Sequence, residues 1–441
     1  MARASDLEER TQAIGRELFE LAHREHQHLS QLNRWAKAVV AWCVSDRQVK
    51  TRVLRFIDCL PTLQTPHAIV QHLRDYFPPG SVRLPLPLQI GVSLARPGLI
   101  TAPAVAFAVH QLVEQVARQF IAASTPEDAA QVWTRLTASG CRVSFDVLGE
   151  QVTSEHEADA YVQQYHRLLD VLQQAAGTQH TAQLHLSVKP SGLSSHFDPL
   201  SFELSLQQAL KRLMPLAEHA AAIGAAITLD MEQYEYCNLT LALAKQLLTS
   251  TIGSQIRLGI VIQAYLCDAE TVVEELVGWL SRHERRLAIR LVKGAYWDYE
   301  VAVSRQRGWS SPVWMEKRQT DAAFERLTER LLQRVPHVRV EIGSHNLRSL
   351  AHAMAAAHAC GMPADQVEYQ VLYGMGDVIA SAIRTRGSPV RIYAPVGAFI
   401  PGMAYLVRRL LENTANDSFL RQDLWNHATM DALLASPDAP R

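Results

Sequence analysis

Eight stretches decide the fold: RVSFDVLGE (142–150), LHLSVKPSG (184–192), AAITLDMEQ (225–233), LGIVIQAYL (258–266), LAIRLVKGAYWD (287–298), VRVEIGSHN (338–346), VEYQVLYGMGD (367–377) and VRIYAPVG (390–397). Each starts apolar and β-branched and ends polar, charged or aromatic, and a helix-like amphipathic stretch follows. Strands alternating with helices at gaps that fit right-handed crossovers give an α/β fold, either an open doubly wound sheet or a closed barrel. Two features favour a (βα)8 barrel of the TIM type: the runs number eight, and no G-x-G-x-x-G follows the first. The nearest approach, Gly374-Met375-Gly376, has Ile379 where the third glycine would stand. A barrel of parallel strands carries its chemistry on the C-terminal strand ends, where these runs turn polar.

Working outward, the helical spacing predicts helices over Glu155 to Ala176, Ser201 to Ile223 and Asp321 to Val335. Before the first run the pattern is helical only. Apolar residues recur at helical spacing from Asp6 to Val44, then over Arg52 to Leu60 and His67 to Tyr76, until Phe77-Pro78-Pro79-Gly80 breaks the pattern. The proline- and glycine-rich segment 81–103 reads as an irregular connector, Val105 to Ala122 as another helix, and Thr125, with Asp128 three residues on, as the N-cap of the next. The expected organisation is a helical N-terminal arm and connector (1–135), a barrel (136–428) and a short tail (429–441).

Composition excludes several classes. A chain of 441 residues, 48% hydrophobic and 20% charged, with a formal net charge of -1, can bury a large core and has no basic field of the size that nucleic acid requires. The six cysteines include no C-x-x-C pair, which points to a reducing, cytoplasmic setting. The N-terminus lacks the apolar run of a signal peptide, and no stretch approaches the length of a membrane span. His185 and His345 each stand alone in their runs, so a metal centre is not expected.

The densest run is Arg290 to Asp298. Two cations (Arg290, Lys293), a glycine where the strand should stop (Gly294), then Ala295, Tyr296, Trp297 and an acid suit an anionic aromatic cofactor; the plainer alternative is a strand capped by a charged turn. On the eighth helix Tyr405, Arg408, Arg409 and Glu412 share one side, where two arginines could clamp a carboxylate, or simply form a solvated face. Lys189, Asp230 and Gln263 end the second, third and fourth runs, each weak alone and stronger as part of a set of strand ends.

The strings SVKPSGL, ITLDMEQ, RLVKGAYWD, GSHN, QVLYGMGD, RIYAPVG and YLVRRLLENTAN, in this order, closely resemble the proline dehydrogenase domain of bacterial proline utilization A proteins, over residues 140 to 420. Residues 80 to 140 are similar in outline to the helices preceding that barrel. The resemblance implies an FAD-binding barrel that oxidises L-proline to Δ1-pyrroline-5-carboxylate and passes electrons to a membrane quinone, with peripheral membrane contact. It implies that Arg408, Arg409 and Lys189 bind the substrate carboxylate, that Tyr393, Tyr296 and Leu372 wall the pyrrolidine ring, and that Asp230 lies in the polar network beside them. Glu150 would hold Arg408, and Arg290 would lie by the reactive edge of the flavin. Gln263, Lys293, Gly294, Ala295, Trp297, Ser344, His345 and Glu412 would contact the rest of a non-covalent FAD. The chain ends shortly after the eighth helix, with no room for the aldehyde dehydrogenase domain of those proteins and no recognisable DNA-binding module, so it reads as a single-activity relative or a fragment. Two alternatives stay open: a dehydrogenase for hydroxyproline or another cyclic imino acid, against which the bulk of Tyr393 speaks, and a catalytically idle ligand-binding barrel.

Overall fold

The computed structural model describes residues 2–29, 47–78, 102–149, 152–180, 183–334, 336–398, 402, 405 and 430–438. Eight strands, β1 (Arg142–Val147), β2 (His185–Val188), β3 (Ala226–Leu229), β4 (Arg257–Gln263), β5 (Leu287–Val292), β6 (Val338–Gly343), β7 (Glu368–Leu372) and β8 (Val390–Val396), form a closed, all-parallel barrel in sequence order. Closure comes from β1 pairing with β8, Arg142 opposite Arg391 through Val147 opposite Val396. The expected (βα)8 architecture is therefore the observed one.

Strand alternation sorts the side chains into two populations. Outward positions such as Phe145, Leu186, Ile227, Ile260, Leu291, Ile342 and Ile392 are buried in the apolar layer beneath the surrounding helices. The opposite set, Ser144, Asp146, His185, Ser187, Thr228, Asp230, Arg290, Glu341, Glu368, Gln370 and Arg391, is buried and polar. Barrel interiors are usually filled by branched aliphatic residues. Here the interior is a hydrogen-bonded column instead, anchored at the N-terminal end of the strands by Glu368, which accepts from Arg391 (2.5 and 3.0 Å) and Arg142 (2.7 Å). Burial alone would raise the pKa of that carboxyl, but the surrounding arginines hold it well below the usual range.

Helices α1 (Ala2–Leu29), α2 (Arg47–Cys59), α3 (Pro66–Tyr76), α4 (Ala102–Ala117) and α5 (Pro126–Ala138) precede the barrel. Thr65 and Thr125 cap α3 and α5 by accepting from the backbone N–H groups of Ala68 and Asp128, each with proline at the first helical position. The barrel helices are α6 (Glu155–His180, broken at Gly177), α7 (Phe202–Ala222), α8 (Cys237–Thr249), α9 (Ala269–Arg282), α10 (Trp297–Arg307), α11 (Lys317–Leu332), α12 (Leu347–Ala359) and α13 (Asp377–Thr385). The expected helix over Asp321 to Val335 begins earlier, at Lys317, because Glu316 and Gln319 close a capping box. The one expected over Val105 to Ala122 is shifted to Ala102–Ala117, because the chain beyond it turns to pair with β8: Ala122 N donates to Pro395 O (2.9 Å), and Ala123 bridges Val396. The rest of the expected helix to Val44, most of the connector 81–103, and the helix carrying Arg408, Arg409 and Glu412 lie outside the described residues, as does Glu150.

The arm packs directly on the barrel. A second apolar core joins Phe56, Ile69, Val70, Leu73 and Phe77 of α2 and α3 and the residue beyond them to Phe120, Ile121, Leu148, Met375 and Tyr405 near the C-terminal strand ends. Gly374 makes that junction possible: at φ +73° it sits where an added Cβ would fall 1.6 Å from the Gln119 carbonyl oxygen. Helix α1 lies against α12 and α13. There Arg348 donates to both oxygens of Glu8 (2.6 and 2.7 Å), to Glu325 (2.8 Å) and to the Leu434 carbonyl (2.8 Å). The short helix α14 (Met430–Leu433) thereby returns the chain to α1, with Leu434 seated against Gly15.

Candidate active site

At the C-terminal end of the barrel the inward column becomes a belt of charges. Asp146, ending the inward face of β1, is fully buried and ion-paired with Lys189, the residue after β2. Asp230, just past β3, accepts from Arg290 Nη1 of β5 (2.8 Å) and from the Tyr393 hydroxyl of β8 (2.7 Å). The Arg290 guanidinium lies 5.4 Å from the centre of the Tyr393 ring, and its Nη2 donates to Ser187 Oγ (3.0 Å). Ser187 continues to Ser144 (3.1 Å), Ser144 to His185 Nδ1 (2.7 Å), and His185 Nε2 to Thr228 (3.1 Å). His185 is thus a tied core residue of the barrel.

These contacts set the protonation states. Burial pushes the Asp146 carboxyl upward, opposed by the neighbouring ammonium. The same burial works against a charged Lys189, but the adjoining carboxylates, Asp146 first, raise its pKa above the ordinary lysine value. Tyr393 is pushed well above the usual phenol range by burial and by Asp146 and Asp230, so it acts as a neutral donor.

On the rim, Gln263 donates to the carbonyl oxygens of Glu232 (3.1 Å) and Met231 (3.4 Å). Glu232 in turn accepts from the backbone and hydroxyl of Ser191 (2.9 and 2.6 Å), and its pKa is raised by burial. Lys293 is ion-paired with Asp321 of α11. Gly294 at φ +131° brings the backbone so close to Tyr265 that an added Cβ would fall 2.5 Å from the ring. Ala295 and Trp297 are exposed and Tyr296 half-buried, and the Trp297 indole donates to the Trp314 carbonyl (2.8 Å). Across the barrel, His345 Nε2 accepts from the Leu372 N–H (2.9 Å), and Ser344 Oγ accepts from Asn346 N (3.1 Å).

The structure therefore joins Asp230, Arg290 and Tyr393 in one hydrogen-bonded network beside the Lys189–Asp146 pair at the barrel mouth, with Gln263, Lys293 to Trp297, Ser344, His345 and Leu372 on the strand ends and following loops around it. Four residues of this arrangement were not singled out from sequence: Asp146, Ser187, Glu232 and Asp321. Period-2 alternation signals the first two, since it turns them to the same face as Ser144 and Lys189. Asp321 had no signal, because its partner lies on another element.

The proline dehydrogenase family model matches residues 129–422, and the model for the proline utilization A N-terminal domain matches residues 8–120, which carries the likeness into the arm beyond the motifs quoted above. The bifunctional protein PutA of Klebsiella aerogenes is 30% identical over 344 residues, covering 76% of this chain and 26% of that protein. Proline dehydrogenase 1 of Bacillus subtilis (strain 168) is 29% identical over 304 residues, 69% of this chain and 89% of the relative. Among solved structures, proline utilization A from Bdellovibrio bacteriovorus superposes with a TM-score of 0.87 at 31% identity, over 99% of this chain and 44% of that one. The chain thus spans about a quarter of the length of the bifunctional relatives it matches. A closed barrel with polar strand ends, a family model matching most of the chain and relatives of this extent agree: the chain belongs to the proline dehydrogenase family.

Proposed function

We propose that the protein is an FAD-dependent proline dehydrogenase that oxidises L-proline to Δ1-pyrroline-5-carboxylate and delivers the electrons to a membrane quinone. The observation that carries this reading is the Tyr393–Asp230–Arg290 network beside the Lys189–Asp146 pair at the barrel mouth. It combines a fixed aromatic wall, a fixed guanidinium and an ammonium for a carboxylate at one end of the barrel. The polar atoms left over fit a flavin: Gln263 Oε1 and Arg290 Nε are buried without a hydrogen-bond partner among the described residues, one an acceptor and one a donor. A heterocycle with both an imide N–H and ring acceptors matches that pair.

In this reading Arg290, Gln263, Lys293, Gly294, Ala295, Trp297, Ser344 and His345 hold FAD, with Glu412 from the segment expected after the eighth strand. Lys189, Arg408 and Arg409 bind the substrate carboxylate, Glu150 steadies Arg408, and Tyr393, Tyr296 and Leu372 close over the ring. Bound flavin supplies the two-electron acceptor for the hydride leaving proline C5. The chain's own contribution is positioning: clamping the carboxylate and pressing the ring spends binding energy from remote groups on orienting C5. Loss of the hydride from C5 and of a proton from the amine leaves the C=N bond of the product. Tyr393, tied through its hydroxyl to Asp230, leaves little room for a ring hydroxyl, which favours proline over hydroxyproline.

No helix among the described residues is long and apolar enough to cross a membrane, and the electron transfer to quinone is read as a peripheral encounter at a cytoplasmic face. Two measurements test the proposal. The purified protein should be yellow, its flavin band should bleach on anaerobic addition of L-proline, and acid precipitation should release the flavin into solution. A colourless protein, a band that L-proline leaves unchanged, or flavin that stays on the polypeptide contradicts it.

A further inference from the structure

The Lys189–Asp146 pair differs from the other charged contacts of the barrel mouth. Asp230 is shared between Arg290 and Tyr393, and Glu232 is satisfied by Ser191. Asp146 is fully buried, bonds to Lys189, and has its second oxygen, Oδ2, enclosed without a hydrogen-bond partner among the described residues. Among the same residues it is the only carboxylate within ion-pair distance of Lys189. An under-satisfied buried carboxylate is costly, and apolar groups of similar volume commonly replace a buried pair without loss of stability. A pair kept here, at the end of the strands where ligands bind, calls for a reason other than packing.

We propose that Asp146 is a positioning residue for Lys189: it holds the ammonium in place and charged, so that an incoming carboxylate always meets a cation. The inference rests on the reading of Lys189 as a carboxylate ligand and extends it to the residue behind it. The groups facing Lys189 are Asp146 on β1, Asp230 and Glu232 beyond β3, the Tyr161 hydroxyl on α6 and, past Asp230, Tyr393 on β8 and Arg290 on β5. Of these, Asp230, Glu232 and Tyr161 already have partners of their own, Tyr161 through Tyr165 (3.0 Å). With Asp146 neutralised, burial is opposed only by these engaged and more distant groups. Buried lysines without a close counter-ion lose their proton several pH units below the ordinary value.

The test is the pH dependence of ligand affinity. Cyclopentanecarboxylate, a carboxylate of proline's ring size without the amine, stays ionised throughout and cannot be oxidised at nitrogen. Its affinity is measured by calorimetry on the flavin-loaded protein from about pH 6 to about pH 9, where lysine of ordinary or raised pKa stays charged. In the wild type no loss of affinity over this range traces to Lys189. In Asp146→Asn affinity is retained at the acid end and falls, by about tenfold per pH unit, above a new ionisation. In Asp146→Asn with Lys189→Arg the fall disappears, because a guanidinium stays charged. An Asp146→Asn profile parallel to the wild type overturns the proposal. Should Asp146→Asn not fold, the wild type and Lys189→Arg decide alone: a falling limb in the wild type that Lys189→Arg removes shows Lys189 losing its proton despite Asp146, and overturns it, whereas its absence supports it. A wild type that does not bind the acid at all overturns it as well. Failure to oxidise L-proline, with these profiles intact, counts against the proposed function and leaves the role of Asp146 standing.

Discussion

Removing the Tyr393 hydroxyl isolates one bond of the network. Tyr393→Phe deletes the donor to Asp230 (2.7 Å) but keeps the ring above the Arg290 guanidinium, 5.4 Å away, and keeps the bond from Arg290 to Asp230 (2.8 Å). Asp230 is 8% exposed, so water does not fully replace the lost donor. A hydrogen bond to a charged group is worth about 1.5–3 kcal/mol, and if Asp230 must be fixed for the transition state, kcat/KM for L-proline falls by roughly 10- to 150-fold. Flavin content should stay at the wild-type level, and the ratio of kcat/KM for L-proline to that for hydroxyproline should not change, because the ring proposed to wall the substrate remains. Tyr393→Ser removes ring and bond together. It loses in addition packing worth roughly 1–3 kcal/mol and shifts that ratio towards hydroxyproline. The assay is steady-state turnover of both imino acids with an artificial quinone, on protein of equal flavin content. Wild-type kinetics in Tyr393→Phe would show that the hydroxyl does no positioning, and a constant ratio in Tyr393→Ser would remove Tyr393 from the ring pocket.

Gly294→Ala should lower the thermal midpoint and the flavin occupancy together, because φ +131° and a Cβ 2.5 Å from the buried Tyr265 ring strain the turn by about 1–3 kcal/mol; wild-type values for both would mean that the turn simply relaxes. Arg408→Met or Arg409→Met should raise the KM for proline strongly, by the about 2–5 kcal/mol that follows loss of a charged partner from a desolvated carboxylate, with flavin content little changed; unaltered kinetics in both would place the arginines on a solvated face. His185, enclosed among arginines and hydroxyls, has its pKa lowered well below the ordinary 6.5, mainly by burial. Below that pH the unfolded chain takes up a proton that the folded chain refuses, so stability should fall with acidification by at most about 1.4 kcal/mol per pH unit from this group. His185→Gln should flatten that part of the profile in urea titrations. An unchanged slope would assign it to other groups.

The alternating α/β architecture was legible in the sequence, because a parallel barrel repeats one local unit, an apolar strand that turns polar at its end followed by an amphipathic helix; closure was only favoured there and is settled by β1 pairing with β8. Each unit can be read from its own residues, and Arg142 to Gly397 holds eight. It also pointed to residues of the candidate site, since Lys189, Asp230, Gln263 and Lys293 end or directly follow their strands and a barrel gathers strand ends on one side, whereas Tyr393 lies inside β8 rather than at its end. Helix boundaries were legible where a cap sits in the local sequence, as at Thr125, and drifted where a distant partner sets them, as at Ala122 on β8. Which residues bond to which was decided only by closure. Asp146 meets Lys189 across neighbouring strands, while Tyr393 of β8 and Arg290 of β5 meet at Asp230 from opposite parts of the sequence. No spacing along the chain encodes those distances, because they arise from strand register and from the curvature that brings β8 back to β1. The same holds for the arm. Its helices could be read as amphipathic, but the face they cover, against Leu148 and Met375 at the barrel mouth and α12 and α13 on its side, follows from an apolar surface that exists only once the barrel has closed.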